Sequence, residues 1–195
     1  SDLELTKEMG FNMLRKHIKI EPLRWYYHCD RLGILVWQDM VNGGGRYSVP
    51  LISVPVFFRF PLSDRFYGLF ARGSAEGRAQ YRAELDELLS HLQNVPSIAV
   101  WVPFNEGWGQ FDAKAATEHI RSLDPTRLID SASGWYDQRC GDFASFHIYF
   151  KPYVYQPDSH GRTVALTEFG GYNLRVQGHA YNEKDFGYKR LMSAD

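Results

Sequence analysis

The feature that most constrains the fold is an alternation of short apolar runs with longer amphipathic stretches along the whole chain. The runs are almost continuously apolar and rich in β-branched residues, which is typical of strands covered on both faces in a parallel sheet. Because helical stretches lie between them, the order predicts an α/β fold. The predicted strands are 11–17, 34–39, 98–104, 128–131, 143–148 and 164–167, and the predicted helices are 2–9, 22–32, 75–92, 112–122 and 183–193.

Length and charge limit the number of domains and the classes of partner. A chain of 195 residues with 44% hydrophobic content suits a single domain. The formal net charge is -1 and like charges form no block, so we expect no nucleic-acid partner. No apolar run has the length of a bilayer span, so we expect no membrane partner either. The chain opens without an initiator methionine or an apolar signal stretch, which indicates a piece of a longer protein and leaves its localisation open.

Polar side chains collect where the predicted strands end. In a sheet or barrel of parallel strands, the C-terminal strand ends and the loops after them form the active-site face. We therefore expect one site that takes residues from several strands. The strand-end polar residues are Arg15, His17, Gln38, Asp39, Asn105, Glu106, Asp130, Ser131, His147, Tyr149, Thr167 and Glu168.

Two of these residues, Glu106 and Glu168, are carboxylates that end an apolar run beside a glycine-rich turn. A carboxyl group in such a partly dehydrated cleft can have its pKa tuned. Two of them brought together across a barrel could divide the roles of acid and nucleophile. A single glutamate at a strand end more often caps a loop or forms an ion pair, so the prediction depends on the pairing, on the aromatic surroundings and on the neighbouring Asn105.

Several segments, in the correct order along the chain, resemble the catalytic barrel of glycoside hydrolase family 2, which includes β-galactosidases, β-glucuronidases and β-mannosidases. The specific elements are Asn105-Glu106 and the Glu-Phe-Gly-Gly run that begins at Glu168, and the matching segments are 10–17, 25–33, 36–40, 103–108 and 167–171. The resemblance implies a (β/α)8 TIM barrel that is incomplete here. The predicted strands would be barrel strands two to seven, so residues 1–195 are expected to form one partial barrel domain that lacks the first and eighth strands.

The resemblance also implies an activity and roles for individual residues. The expected reaction is the cleavage of terminal β-glycosidic bonds with retention, as in a β-galactosidase. Glu168 would attack the anomeric carbon, and Glu106 would act as acid and then as base. Asn105 would bind the sugar 2-hydroxyl, Arg15 would hold Glu168 ionised, and Tyr149 would orient Glu168.

Other residues at the same face are candidates for substrate binding. Three of these candidates have two interpretations each, as residues of the substrate pocket or as structural residues. They are His17, Asp39 and His147. Trp108 and Trp135 follow strands of the active face and could stack on a sugar, whereas Trp37 and Trp101 lie inside apolar runs and are expected in the core. We expect no cofactor and no metal, since residues 40–44 lack the Glu-x-His ligands of some metal-dependent β-galactosidases.

Other interpretations stay open beside this one. The chain could be a carbohydrate-binding barrel without turnover, or an inactive fragment of such an enzyme. A metal-using barrel hydrolase is disfavoured because His17 and His147 lack a His-x-His companion. The expected partner is a carbohydrate substrate, and self-association is expected through open barrel edges at 12–17 and 164–167.

Overall fold

The computed structural model of the chain describes residues 1–58, 60–180, 182, 184 and 186–193. The helices are α1 Asp2–Glu8, α2 Leu23–Leu32, α3 Val49–Ser53, α4 Ala75–Leu92 and α5 Ala113–Leu123, and a 3-10 turn covers Val54–Val56. The longer strands are β1 Met13–Lys16, β2 Leu35–Asp39, β3 Ile98–Val102, β7 Phe143–Ile148 and β8 Thr163–Phe169. The two-residue strands are β4 Phe104–Asn105, β5 Leu128–Ile129, β6 Ala132–Ser133, β9 Tyr172–Asn173 and β10 Lys189–Arg190.

The strands follow one another around an open arc and pair in parallel. One sheet has the order β1-β2-β3-β5, β4 pairs with β6, and β7 pairs with β8. Because β6 lies beside β7, these ladders continue from β1 to β8. Helices separate β1 from β2, β2 from β3 and β4 from β5 in sequence, whereas loops connect the strands from β5 to β8. The arrangement confirms the predicted α/β class and is that of a partial barrel.

Alternation along the strands divides the arc into an inner and an outer face. Trp37, Val100, Val102 and Phe143 form an apolar cluster on the inner face, where the rings of Trp37 and Phe143 lie 4.8 Å apart. On the same face, polar residues follow at even spacing, Asp39 after Trp37 and His147 after Phe143. The inner face is therefore apolar toward the start of the strands and polar at their C-terminal ends.

The outer face carries the larger core, in which α2, α4 and α5 cover the strands. α4 contributes a leucine row and α5 contributes Ile120, and both belong to one core with Ile98 and Trp101 of β3. Ile98 joins this core because the ladder of β2 and β3 is irregular between Ile98 and Val100. Trp37 and Trp101 are 9% and 2% exposed, as expected of core residues. Among the described residues, no helix combines the length and the hydropathy that crossing a membrane requires.

Pro103 accounts for two differences from the predicted strands. The predicted strand 98–104 is divided into β3 and β4. Within the predicted strand 128–131, only Leu128–Ile129 forms a strand, and the next strand, β6, begins at Ala132. The register is the same before and after the gap, with Trp101 opposite Ile129 and Phe104 opposite Ala132. A proline has no N–H to donate to the ladder, so the pairing is interrupted beside Pro103 and then resumes.

The predicted helix 183–193 is wrong in the part that the structure describes. Lys189–Arg190 is a short strand that pairs in parallel with Tyr172–Asn173. Tyr188 N–H donates to the carbonyl of Gly171, and Leu191 N–H donates to that of Asn173. These bonds to the segment after β8 replace those of a helix. Residues 183 and 185 of this prediction lie outside the described residues.

Candidate active site

Arg15 connects several strands of the arc. Its side chain is 12% exposed, and its guanidinium forms a two-pronged pair with Asp39 at 3.0 and 2.9 Å. Nη2 also donates to Asn105 Oδ1 at 2.8 Å, and Nη1 donates to Glu168 Oε1 at 2.8 Å. Burial alone would lower the pKa of Arg15, but the charge and hydrogen bonds of Asp39, with Glu168, raise the pKa overall. The cation is therefore retained inside the arc.

Glu106 follows β4 in a left-handed backbone conformation, with φ +51°. This conformation is uncommon for a residue with a side chain, and it is fixed here by Glu106 N–H, which donates to the Ser133 carbonyl at 2.9 Å. The carboxyl group is turned into the arc, where Oε1 lies 2.7 Å from His147 Nδ1 and 2.8 Å from the Tyr149 hydroxyl. This strained backbone conformation thus directs the Glu106 carboxyl group at these two side chains. Together with Arg15 and Glu168, the three residues form a polar cluster.

An irregularity in the β7–β8 ladder places Glu168. The register pairs Phe146 with Leu166 but His147 with Glu168, so Thr167 is passed over between the two pairs. A shift of one residue moves a side chain from one face of a strand to the other. The shift therefore brings Glu168 opposite His147, at the polar end of the inner face.

The Tyr149 hydroxyl lies between the two glutamates. It is 2.8 Å from Glu106 Oε1 and 2.5 Å from Glu168 Oε2, and the residue is 6% exposed. Burial, followed by the charges of Glu106 and Glu168, raises the pKa of Tyr149 far above its usual value, so the phenol keeps its proton. One proton cannot be donated to two carboxylates at once, so both contacts are hydrogen bonds only when one carboxyl group is itself protonated.

His147 belongs to this cluster, and its side chain is fully buried. In addition to the Glu106 contact, its Nε2 lies 3.0 Å from Ser133 Oγ and 3.6 Å from Glu168 Oε1. Ser133 was missed because the predicted strand ended at Ser131. The alternation of serines at 131 and 133 is the signal that could have identified it.

His17 and Asp39 lie at the edge of the cluster. Asp39 is 1% exposed and also accepts from Ile18 N–H at 3.1 Å. His17 is half exposed, with Nδ1 3.4 Å from Asp39 and 3.6 Å from Glu168. The hydrogen bond to Asp39 raises the pKa of His17, partial burial opposes this, and the charge of Glu168 adds to it.

The two tryptophans predicted at this face differ in position. Trp135 is 4% exposed, and its ring centroid lies 6.4 Å from that of His147. Trp108 is partly buried and packs on Tyr47 at 5.1 Å. Trp135 therefore adjoins the cluster. The ring of Trp108 packs on the loop after β2, although its N–H donates to the Asn105 carbonyl at 2.9 Å.

Two of the strand-end polar residues lie outside the cluster. Gln38 is on the opposite face of β2 from Asp39, where it accepts from the Tyr26 hydroxyl at 2.6 Å and donates to the Lys19 carbonyl at 2.9 Å. Ser131 lies 3.0 Å from the sulfur of Cys140. The expectation that all these residues share one site is therefore wrong for Gln38 and Ser131, because neighbours on a strand point to opposite faces.

Tyr188 belongs to the site but was not predicted. Its ring stacks on that of Tyr149, with centroids 4.1 Å apart and an interplanar angle of 23°. It was missed because it falls in the stretch predicted to be helical. No periodicity in that stretch distinguishes a residue that folds back over the strand ends.

The cluster has the elements of a cation site as well as of acid and nucleophile chemistry. Glu106, His147 and Glu168 each offer a ligand atom, and these atoms lie within 4.8 Å of one another. However, Arg15 Nη1 already lies 2.8 Å from Glu168 Oε1 and 3.5 Å from His147 Nε2. This fixed positive charge opposes a divalent cation in the same space. What the arrangement provides is one carboxylate held by a cation and a second carboxyl group that can share a proton with Tyr149.

Comparisons with known proteins agree on the family. A family model described as glycosyl hydrolases family 2, TIM barrel domain, matches residues 1–168. A candidate β-glucuronidase of Formosa agariphila is 26% identical over 132 residues, which are 68% of this chain and 11% of that protein. Beta-mannosidase B of Emericella nidulans is 26% identical over 129 residues, which are 66% of this chain and 11% of that protein.

The solved structures agree on the fold. The β-glucuronidase of an uncultured Clostridium species superposes with a TM-score of 0.62 at 19% identity, covering 87% of this chain and 31% of that one. At this identity the likeness supports the fold alone. The chain spans about a tenth of the length of the two curated relatives and about a third of this structure.

Proposed function

Because the chain belongs to glycosyl hydrolase family 2 through that family's TIM barrel domain, we propose that it carries the catalytic centre of a retaining glycosidase for terminal β-glycosidic bonds. The observation that carries this proposal is the short distance between the ligand atoms of Glu106 and Glu168, which is no more than 4.8 Å. Retaining enzymes hold their two carboxyl groups about 5 to 5.5 Å apart, whereas inverting enzymes need about 6.5 to 9.5 Å to admit a water. The separation favours direct attack by a carboxylate.

Glu168 is the nucleophile in this proposal. The Arg15 guanidinium donates to one carboxyl oxygen of Glu168 at 2.8 Å, and the Tyr149 hydroxyl donates to the other at 2.5 Å, so both oxygens are held in place. An oxygen of Glu168 forms a bond to the anomeric carbon while the bond from that carbon to the leaving oxygen breaks. The product of this step is a glycosyl ester of Glu168.

Glu106 supplies and recovers the proton. In the first step its carboxyl proton passes to the leaving oxygen. In the second step the resulting carboxylate takes a proton from water, whose oxygen bonds to the anomeric carbon and releases Glu168. The contacts of Glu106 with Tyr149 and His147 support this role, because both neighbours can exchange donor and acceptor roles with a carboxyl group that gains and loses a proton.

Asn105 binds the substrate in this proposal. Arg15 donates to its Oδ1, which leaves the amide Nδ2 as the group that can donate to a sugar hydroxyl. We propose the 2-hydroxyl as that group, since a hydrogen bond there strengthens in the transition state of glycoside cleavage.

The sugar itself belongs to the proposal. The resemblance in sequence implies a β-galactoside, and the curated relatives carry the names of a β-glucuronidase and a β-mannosidase. A panel of the corresponding aryl β-galactoside, β-glucuronide and β-mannoside distinguishes these substrates. The full-length protein that contains this chain is the sample for this assay.

A mechanism-based inactivator tests the proposal. A 2-fluoro glycoside of the sugar that is turned over, with an activated leaving group, is expected to form a stable ester. The fluorine slows both steps, and the activated leaving group accelerates only the formation of the ester. Peptide mapping by mass spectrometry is expected to find the label on Glu168. A label on Glu106, or no turnover of any aryl glycoside, would contradict the assignment.

A further inference from the structure

We propose that Ser133 and Thr167 are positioning residues for the acid/base Glu106, because a chain of hydrogen bonds that passes through His147 orients its proton. This inference rests on the function proposed above. The chain runs from the Glu106 carboxyl group through the imidazole of His147 to the Ser133 hydroxyl, and from there to the hydroxyl of Thr167. Its three contacts measure 2.7, 3.0 and 3.0 Å. The direction of donation along this chain decides where the proton of Glu106 is held.

The direction of donation is fixed at the far end of the chain. The Thr167 hydroxyl donates to the Phe146 carbonyl at 3.4 Å, and a carbonyl oxygen can only accept. The Ser133 hydroxyl donates to Thr167 Oγ1 at 3.0 Å. Because a serine has a single proton to donate, Ser133 accepts from Nε2 of His147, which lies 3.0 Å away. In a neutral imidazole, a proton on Nε2 leaves Nδ1 as an acceptor.

This direction determines the contact between His147 and Glu106. Nδ1 lies 2.7 Å from Glu106 Oε1, a distance at which one proton lies between the two atoms. Because Nε2 already carries the imidazole proton, the proton between them is the one that Glu106 supplies. The Tyr149 hydroxyl does not supply it, since its shorter contact, at 2.5 Å, is with Glu168. The chain therefore holds the acid in the form that protonates a leaving group.

The same direction also favours the second step of the reaction. Once the proton has passed to the leaving oxygen, the lone pair of His147 Nδ1 faces the Glu106 carboxylate with no proton between them. Two acceptors at this distance repel each other, and the repulsion is relieved when Glu106 takes a proton from the attacking water. Ser133 and Thr167 thus act on both steps through the imidazole.

The local fold places the two hydroxyl groups inside the arc. Ser133 belongs to β6 and is 0% exposed, so water does not replace its contacts. Thr167 lies at the irregularity of the β7–β8 ladder, where it is passed over between two pairs. Both Thr167 and the following Glu168 consequently reach the interior, one at Ser133 and the other at Arg15. One irregularity therefore supplies the proposed nucleophile and the end of the chain.

The charged groups beside His147 do not reverse this direction. Arg15 Nη1, a donor, lies 3.5 Å from Nε2, and Glu168 Oε1, an acceptor, lies 3.6 Å from it. These opposite charges are nearly equidistant from Nε2 and already bond each other at 2.8 Å, so the closer Ser133 decides. The other titratable groups near the chain are Tyr149, Tyr188 and Asp130, with His17 and Asp39 beyond Arg15.

The test uses Thr167 variants of the full-length protein. Thr167→Val keeps the shape of the side chain and removes the hydroxyl, which frees Ser133 to donate to Nε2. Nδ1 then carries the imidazole proton and donates to the Glu106 carboxylate, so the ionised form is favoured. Thr167→Ser is the conservative variant that retains the hydroxyl. Thr117→Val is the matched control, because the buried Thr117 hydroxyl donates to the Ala113 carbonyl within α5.

The measured quantity is the pH profile of kcat/KM for two β-glycosides of the sugar that is turned over. An alkyl glycoside has a poor leaving group and needs the acid, whereas a 2,4-dinitrophenyl glycoside does not. For the alkyl glycoside, Thr167→Val is expected to move the alkaline limb about one pH unit toward acid, the effect of one hydrogen bond to the carboxylate. Thr167→Ser and Thr117→Val are expected to leave the limb in place, and the dinitrophenyl glycoside is expected to show no shift.

Two results would overturn the inference. One is an alkaline limb that stays in place in Thr167→Val. The other is an equal loss on both substrates at every pH, which would show that Thr167 acts through packing alone. Absence of turnover of either glycoside by the unsubstituted protein would overturn the proposed function together with this inference, whereas turnover without the shift overturns the inference alone.

Discussion

At the residue scale, the chemistry depends on where a single proton lies among Glu106, Tyr149 and Glu168. The hydroxyl of Tyr149 is within hydrogen-bonding distance of both carboxyl groups, and its raised pKa keeps it neutral. The shorter contact is with Glu168, which Arg15 also holds. The proposed division of roles therefore places the shared proton on the Glu106 side.

Replacing Glu106 by alanine tests this placement. Glu106→Ala is expected to slow substrates with poor leaving groups by about 10² to 10⁴, the usual contribution of general acid catalysis. Activated aryl glycosides need no proton in the first step, so their glycosylation is expected to be largely spared. Azide can replace water in the second step without a general base, so it is expected to restore turnover and to yield a glycosyl azide.

The measurements are steady-state kinetics on both substrate types with and without azide. Equal losses on both types, with no rescue, would count against the acid/base role. Glu118→Ala, a change of another glutamate on α5 away from the cluster, is the control for the loss of a carboxylate as such.

His17 gives a pH dependence whose sign follows from its raised pKa. A histidine whose pKa is higher in the folded than in the unfolded state contributes stability below its unfolded pKa of about 6.5. That contribution is lost as the pH rises through the folded pKa. His17→Gln is thus expected to be destabilising at about pH 5.5 and nearly neutral at about pH 9.

The difference is expected to stay below about 1 kcal/mol, because His17 is half exposed and solvent screens the pair. Urea unfolding of both proteins at the two pH values measures it. A destabilisation of the same size at both pH values would show that His17 acts through packing rather than through charge.

The sequence predicted most of this cluster but not all of it. Arg15, Glu106 and Glu168 were identifiable because polar residues at the ends of apolar runs meet on one face of a parallel sheet. The same rule could not exclude Gln38, because a change of one position along the strand moves a side chain to the opposite face of the sheet. It could not include Tyr188, which reaches the site by a return of the chain that has no local signature.

At the element scale, the turn after β6 couples a glycine to the position of His147. Gly134→Ala is expected to displace the imidazole, because the new Cβ would lie 2.6 Å from Nδ1. The expected destabilisation is about 1 to 3 kcal/mol from overpacking, with a loss of activity as His147 moves away from Glu106. Urea unfolding and aryl glycoside turnover measure the two effects.

Gly10→Ala is the matched control for this substitution. Gly10 has the same φ of +90°, but a Cβ there meets nothing within 4 Å. It carries the backbone strain without the clash. Equal effects of the two substitutions would show that strain alone, and not contact with His147, explains the requirement for glycine.

The elements themselves show what periodicity can and cannot predict. β2, α4 and β7 are long enough for an apolar pattern to fix their type, and the structure confirms all three. The five-residue helix Val49–Ser53 was not predicted, because it is shorter than two turns and contains Pro50 among β-branched residues that favour strands. The conformation of short elements is determined by tertiary contacts with the rest of the chain rather than by the apolar pattern of their own residues.

At the scale of the whole molecule, the arc ends in two strand edges. β1 pairs only with β2, and β8 pairs only with β7, within the part of the chain that the structure describes. Open edges of this kind favour pairing with a second chain. The isolated 195-residue chain is thus expected to self-associate. It is also expected to hydrolyse glycosides poorly, since a displacement of about 1 Å can reduce the rate about a hundredfold.

Light scattering and turnover relative to the full-length protein measure these two properties. Thr163→Lys places a charge on an exposed residue of the β8 edge and is expected to reduce association, whereas Ser122→Lys at the end of α5 is the control. A stable monomer with the turnover of the full-length protein would contradict the prediction.

The hydrogen bond from Arg15 to Glu168 spans 153 residues. During synthesis at about 5 to 20 residues per second, Glu168 follows Arg15 out of the ribosome by about 8 to 30 seconds. Asp39, only 24 residues away, is available much earlier and can hold the guanidinium in the meantime. In the growing chain, Asp39 is therefore the first of the two acidic partners that Arg15 can pair with. The reactive carboxylate can reach Arg15 only after the strands between them have been made, so this pair forms late.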